Sequence, residues 1–447
     1  MPGSLPLVGN FAHGCNGRGG RWSITDIHRY NKGSIMLSRS ALSLALTASL
    51  TLGAAGANAA DLVIAGRDGI YGQALDATVA RYKEAHPDMD IELLKLPYGS
   101  LYEKLVISLR EKSGAYDLVL LDDTWATEFM SNGWLANLEE QGKITGDFIA
   151  ATLDISRYPV AQGPAYSLPV VGNVAMFAYN QALFDQYGLS KPANWDAVKV
   201  AAKTISAKNP DTSGVVFRGQ KGNPIVTGFL PLFWAHGGVI VDDAGKPQVN
   251  SAQGVQALES FLELKQYAPK GIEVYNSTEV RDAIQQRKTA IAIEVWPSWA
   301  PSMDDPSQSK VVQEMQVIAA PGQVNGSSPM LGIWQMGVTA DAKHDKNARD
   351  FLNYLTSAEN QKTLALELGL PPTRRSVYTD KDVVAKYRWY PNQLEALEHG
   401  KARPRIKQWN EVESILGDYL QLAMIGQMDA RTALDQANRK IDRALKR

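Results

Sequence analysis

Tyr116-Asp-Leu-Val-Leu-Leu-Asp-Asp123 is an apolar run that closes on two acids, and it reads as a short strand. Upstream, residues 101–112 carry a helical pattern and Ile91–Leu96 reads as a second strand. Before these, Leu75, Val79 and Tyr82 recur at helical spacing between about Gly72 and Ala85, where His86-Pro87 stops the helix. The stretch opens with Asp61-Leu-Val-Ile-Ala-Gly66, another strand. Strand, helix, strand, helix, strand predicts an α/β fold with a parallel sheet. Such sheets meet ligands at the carboxyl ends of their strands. The candidates there are Arg67 with Asp68, Tyr98, and the pair Asp122 and Asp123.

Downstream, a second α/β region begins near Tyr166-Ser-Leu-Pro-Val-Val-Gly-Asn173. Strands are expected at 174–179, 290–294, 315–320 and 337–339, and helices at 194–208, 249–268, 345–368, 407–425 and 430–445. No Pro/Ser-rich linker follows Ala59, so the two regions must be joined by short ordered crossings.

The chain has 447 residues, 45% hydrophobic and 21% charged, with a net charge of -1. This composition excludes a disordered or fibrous chain, and the absent basic excess argues against nucleic acid. Residues 36–59 have a basic start, an apolar core and an Ala-Asn-Ala59 close. They read as a secretory signal peptide, with residues 1–35 as an upstream segment. A membrane anchor is the competing reading, but the Ser- and Ala-rich core is weakly hydrophobic. No cysteine stands at the cleavage point, so no lipid anchor is expected. Removing 1–59 takes away Cys15, the only cysteine, and leaves 41 basic against 46 acidic residues. A cysteine-free chain suits an oxidising compartment such as the periplasm.

Signatures of catalysis are missing. The four histidines after the leader, His86, His236, His344 and His399, lie in no metal-ligand spacing. P-loop, Gly-x-Ser-x-Gly and dinucleotide motifs are absent, and no cofactor is expected. Asp122, Asp123 and Glu294 could make a glycosidase-type carboxylate pair, although acids at strand ends are also ordinary hydrogen-bonding groups. The tryptophans say more. Trp296 and Trp299 sit among Pro297 and Pro301 at the end of a strand, while Trp334 and Trp409 stand beside polar residues. An indole face suits the C–H face of a sugar ring, with Asp, Asn, Glu and Arg on the hydroxyl rim. Trp195 and Trp389 read as core.

Several segments together resemble the extracellular solute-binding proteins of bacterial ABC importers, in the maltose- and sugar-binding group. They are Tyr116–Trp125 with Asn132-Gly-Trp134, Tyr166–Phe184 with Asn194-Trp195-Asp196, Lys288–Trp296, Ala348–Leu355 and Gly369–Arg374. The resemblance implies an α/β, two-lobed periplasmic-binding-protein fold. Each lobe would be a mostly parallel sheet flanked by helices, with the ligand cleft between the lobes. Lobe one would comprise 60–170 and 320–372, and lobe two 172–319 and 373–447. Hinges would fall at Pro169–Gly172, Ala319–Gly322 and Pro371–Thr373. It further implies ligand contacts from Asp122, Asp123, Trp125, Asn173, Trp296, Trp334 and Trp409. Arg67 and Tyr98 follow from strand ends, and Glu294 points either into the cleft or into the core.

The function expected is capture of a sugar, short oligosaccharide or sugar alcohol by hinge closure and delivery to an inner-membrane ABC permease, by a monomeric periplasmic protein that is not an enzyme. Two alternatives stay open. One is a non-sugar solute on the same fold: a polyamine caged by Asp122, Asp123 and Glu294, a glycerophosphodiester or a small organic ion. The other is a secreted carbohydrate-active hydrolase.

Overall fold

The computed structural model describes residues 60–140, 142–144 and 146–447. The expected upstream segment and signal peptide, with Cys15, lie outside the described residues. The first sheet is built from β1 (Leu62–Arg67), β2 (Ile91–Leu96), β3 (Leu118–Asp122), β4 (Leu168–Val171) and β8 (Trp334–Val338), in the order β2-β1-β3-β8-β4. The second contains β5 (Met176–Asn180), β6 (Ile291–Val295) and β7 (Met315–Ile318), in the order β6-β5-β7.

All five residues of β3 are buried, which is why its sequence is a continuous apolar run rather than an alternation. Helices α1 (Gly69–Ala85) and α2 (Tyr98–Glu111) cross between the first three strands, and α2 turns Leu101, Leu105 and Leu109 inward at a spacing of four. Helix α3 (Asp123–Ser131) starts where β3 stops, and the Asp122 side chain accepts from the Thr124 N–H to cap it.

The expectation of mostly parallel sheets holds only in part. β1 runs parallel to β2 and β3, but β8 is antiparallel to both β3 and β4. In the second sheet β5 is antiparallel to both neighbours, and parallel pairing is confined to bridges from Ser213 and Val216. The cause is the crossings. A strand that has just crossed between lobes, β5 or β8, must run away from the cleft, whereas the others end at it.

Each sheet has its own core. Ile64, Leu120, Leu101 and Phe351 pack in the first, and Phe177, Trp195, Phe229 and Ile293 in the second. Two stretches of chain, 169–172 and 371–373, run side by side. Gly172 N–H donates to Pro371 O at 2.9 Å, and the Thr373 hydroxyl donates to Pro169 O at 2.8 Å. The third crossing lies further along than 319–322. Gly322 O accepts from Trp195 N–H and Asn325 N–H donates to Ala235 O, so this stretch stays with the second core. The chain passes over at 331–334, where Gly332 N–H reaches Asn173 O and Ile333 O accepts from Asp123 N–H.

A Cβ at position 172 would lie 2.1 Å from Pro372 O, a backbone atom with little room to move. Gly172→Ala is therefore expected to cost about 1–3 kcal/mol, measured by urea unfolding. An unchanged midpoint would show that the two crossings can slide apart freely.

Candidate functional site

Strand ends and crossings converge on one cavity of about 1370 Å³. One wall carries Arg67 at the end of β1, Tyr71 in the first turn of α1, Tyr98 at the start of α2 and Asp122 at the end of β3. The facing wall carries Trp296 just after β6, with Arg218 beneath it. Asn173 lies in a crossing, and Arg403 arrives from the loop before the C-terminal helices.

The first wall is aromatic. β8 pairs with β3 in a register that sets Trp334 opposite Asp122. Tyr71 stacks on Trp334 at 4.9 Å and 28°, while Tyr98 and Trp125 approach it edge-on at 6.0 and 5.9 Å. The Arg67 guanidinium stands 5.0 Å from the Tyr71 and Trp334 centroids and 5.4 Å from that of Tyr98. Trp334 is 4% exposed, so its faces are largely taken and it backs the wall. The half-buried rings of Tyr71 and Tyr98 are what the cavity meets. Asn173 ties the walls together: its Nδ2 donates to the Tyr71 hydroxyl at 2.9 Å and its Oδ1 accepts from Ser298 N–H at 3.3 Å.

On the facing wall, Trp296 rests on Gly332, where a Cβ would come within 2.4 Å of the indole. Arg218 lies 5.7 Å from the Trp296 centroid and grips the fully buried Glu294 with two hydrogen bonds of 3.0 and 2.5 Å. The Thr227 hydroxyl accepts from the same guanidinium. Glu294 thus faces an arginine rather than the cleft.

Behind Asp122 lies a buried cluster of three acids and two arginines. Arg403 pairs with Asp122 at 3.2 Å, with Asp123, and with Glu413 at 3.7 Å. Arg405 reaches Asp123 at 3.6 Å and donates to Asp123 O and Ile155 O. Burial raises the Asp123 carboxyl above the usual range, the Asp122 charge adds to it, and Arg403 opposes it. For Asp122 burial also acts upward, but Arg403 and the Asp123 and Thr124 hydrogen bonds outweigh it, and the group sits below its usual range. Glu413 is raised by burial against the pull of Arg403.

An acid whose folded pKa is raised binds more protons folded than unfolded. Asp123 and Glu413 therefore contribute stability in mildly acid solution, which is lost as pH rises through their folded pKa values. Asp123→Asn is expected to flatten the melting temperature between pH 5 and about 8. An equal pH slope in both proteins would place the excess proton elsewhere.

Of the ten residues singled out in the sequence, Arg67, Tyr98, Asp122, Asn173, Trp296 and Trp334 line the cavity. The other four do not. Asp123 and Glu294 are buried beneath arginines, Trp125 packs behind Tyr98, and Trp409 is buried at the start of the helix Trp409–Met424. The polyamine cage drawn from Asp122, Asp123 and Glu294 fails for the same reason, since each already faces a guanidinium. Tyr71, Arg218 and Arg403 were missed. Val215-Val216-Phe217-Arg218, an apolar run ending in a cation like β1, was the available signal for Arg218. Among the described residues no His, Cys, Asp and Glu cluster could hold a metal ion.

Two cores, three crossings and an interposed cavity define a two-lobed ligand-binding protein. The model of the bacterial extracellular solute-binding protein family matches residues 68–362, and the chain belongs to that family, the binding components of ABC transporters. A solved Agrobacterium radiobacter solute-binding protein in complex with ribitol is similar at 26% identity and a TM-score of 0.77, covering 86% of this chain and 98% of that one. A maltose-bound Thermotoga maritima protein has the same fold at 22% identity and a TM-score of 0.76, covering 85% and 98%. A Deinococcus radiodurans protein named "Probable ABC transporter-binding protein" is 30% identical over 250 residues, which is 54% of this chain and 59% of that relative's length.

Proposed function

We propose that the cavity takes a sugar alcohol, sugar or short oligosaccharide and that closure about the three crossings delivers it to an ABC permease. The observation that carries this is the pairing of half-buried rings lining the cavity, Tyr71 and Tyr98 against Trp296, with fixed polar groups between them. Flat apolar faces stack on the C–H side of a polyol while Asn173, Asp122 and Arg67 meet its hydroxyls. The ribitol-bound relative supports the same ligand class. The ligand touches both lobes, so it favours the closed state by its differential affinity for the two states. We further propose lobe boundaries close to 171–175, 331–334 and 371–373, a signal peptide at 36–59, and a free monomer in the periplasm.

The test is a thermal-shift screen against alditols, monosaccharides, di- and trisaccharides, polyamines and amino acids. A true ligand at about 100 times its Kd adds about 2.7 kcal/mol. A shift confined to polyamines or amino acids would overturn the reading.

A further inference from the structure

We propose that the ligand carries an anionic group, a carboxylate or a phosphate, and that Arg67 with the N-terminus of α1 is its receptor. This rests on the polyol reading and narrows it to acidic polyols: aldonates, uronates or sugar phosphates.

Four acids at the cavity or just behind it are already answered by arginines. Asp122 pairs with Arg403, Glu294 with Arg218, Asp304 with Arg388 and Glu367 with Arg81. Arg67 makes no ion pair and no hydrogen bond to protein among the described residues, although it is half-buried and sits on the innermost wall. Its neighbour in the chain, Asp68, is the N-cap residue of α1 and lines the same cavity, but it is exposed to water and makes no bond to the guanidinium among the described residues. The guanidinium is held in place by the faces of Tyr71, Tyr98 and Trp334, which offer it no acceptor. A planar fork fixed by rings with all its N–H donors free is prepared for bidentate contact with an anion.

Independent of Arg67, the adjacent backbone presents N–H donors to the cavity. Gly69, Ile70 and Tyr71, the first turn of α1, line the cavity, and that helix has neither a side-chain cap bond nor an acid in its first turn. α2, which begins at the cavity with Tyr98, shares both features. By contrast α3, whose first turn is buried under the arginine cluster, is capped by Asp122 and carries Asp123. α1 and α2 therefore leave N–H donors and positive dipole ends at the cavity, and α3 does not.

The experiment is titration calorimetry with matched pairs: gluconate and sorbitol, galacturonate and galactose, glycerol 3-phosphate and glycerol. The first two pairs probe carboxylate and the third phosphate. In at least one pair the acid is expected to bind ten-fold or more tighter than its neutral partner. That preference should weaken as salt rises. In Arg67→Gln the acid-to-neutral ratio should fall towards one, with the melting temperature of the free protein checking the fold. Neutral partners binding as well as or better than the acids would overturn this proposal and leave the polyol reading standing. A preference that survives Arg67→Gln would overturn the assignment of Arg67. Binding of neither member of any pair, with a polyamine or amino acid bound instead, would overturn both.

Discussion

Alanine at position 403 is expected to lower the unfolding free energy by about 3–5 kcal/mol. Arg403 is 3% exposed and is the only group that touches Asp122, Asp123 and Glu413 together among the described residues. Without it, three buried carboxylates share one remaining guanidinium, Arg405, which reaches only Asp123. Neutralising two of them by protonation carries its own cost at neutral pH. The loss should therefore be smaller at pH 5 than at pH 8. Urea unfolding followed by tryptophan fluorescence at the two pH values measures both effects. A loss below about 1 kcal/mol at pH 8 would mean that water reaches the acids, contrary to their burial. Arg403→Ala should also weaken ligand binding, because the arginine fastens the C-terminal segment to the end of β3 at the cavity.

Trp296→Ala should raise the Kd for the tightest-binding polyol or oligosaccharide by about 30- to 140-fold, or roughly 2–3 kcal/mol. Trp296 is half-buried, is held over Gly332 from behind and supplies the broad ring of its wall. Since much of the indole already faces the cavity, the melting temperature of the free protein should move far less than binding does. Calorimetry showing an unchanged Kd would remove Trp296 from the ligand. Gly332→Ala offers a second view, because the added methyl would push the same indole out of place.

Much of the framework was legible because local pattern and tertiary role agree. β1, β2 and β3 were found to within about two residues, as were Trp195–Lys208 and the two C-terminal helices. The misses have physical causes. Asn223–Ala235 is a helix in which Ile225 through Ala235 are all buried, so no polar face marks its period, and Pro224 and Pro231 read as breakers. Pro224 sits in the first turn, where its missing N–H costs nothing. The helix expected over 345–368 is two, divided where Ser357 caps the second.

The site followed the same logic. Strand ends could be read, so Arg67, Tyr98 and Asp122 fell on the cavity. Whether an acid faces ligand or arginine depends on partners such as Arg403 and Arg218, which lie far along the chain from Asp123 and Glu294. Residue type and local spacing carry no trace of that pairing. The aromatic pattern located Trp296 but misjudged Trp409, whose polar neighbours face outward while the indole turns into the core.

The place of β8 between β3 and β4 bears on how the chain is made. β3 ends at residue 122, but the strand that completes its hydrogen-bond ladder begins at 334. Throughout synthesis of the intervening segment, the first lobe has a gap in the middle of its sheet and cannot lock. Pairing of such distant segments is slow. Any secreted chain that must stay unfolded until it is exported would gain time from such a delay, since the first sheet here stays incomplete until about three quarters of the sequence has emerged.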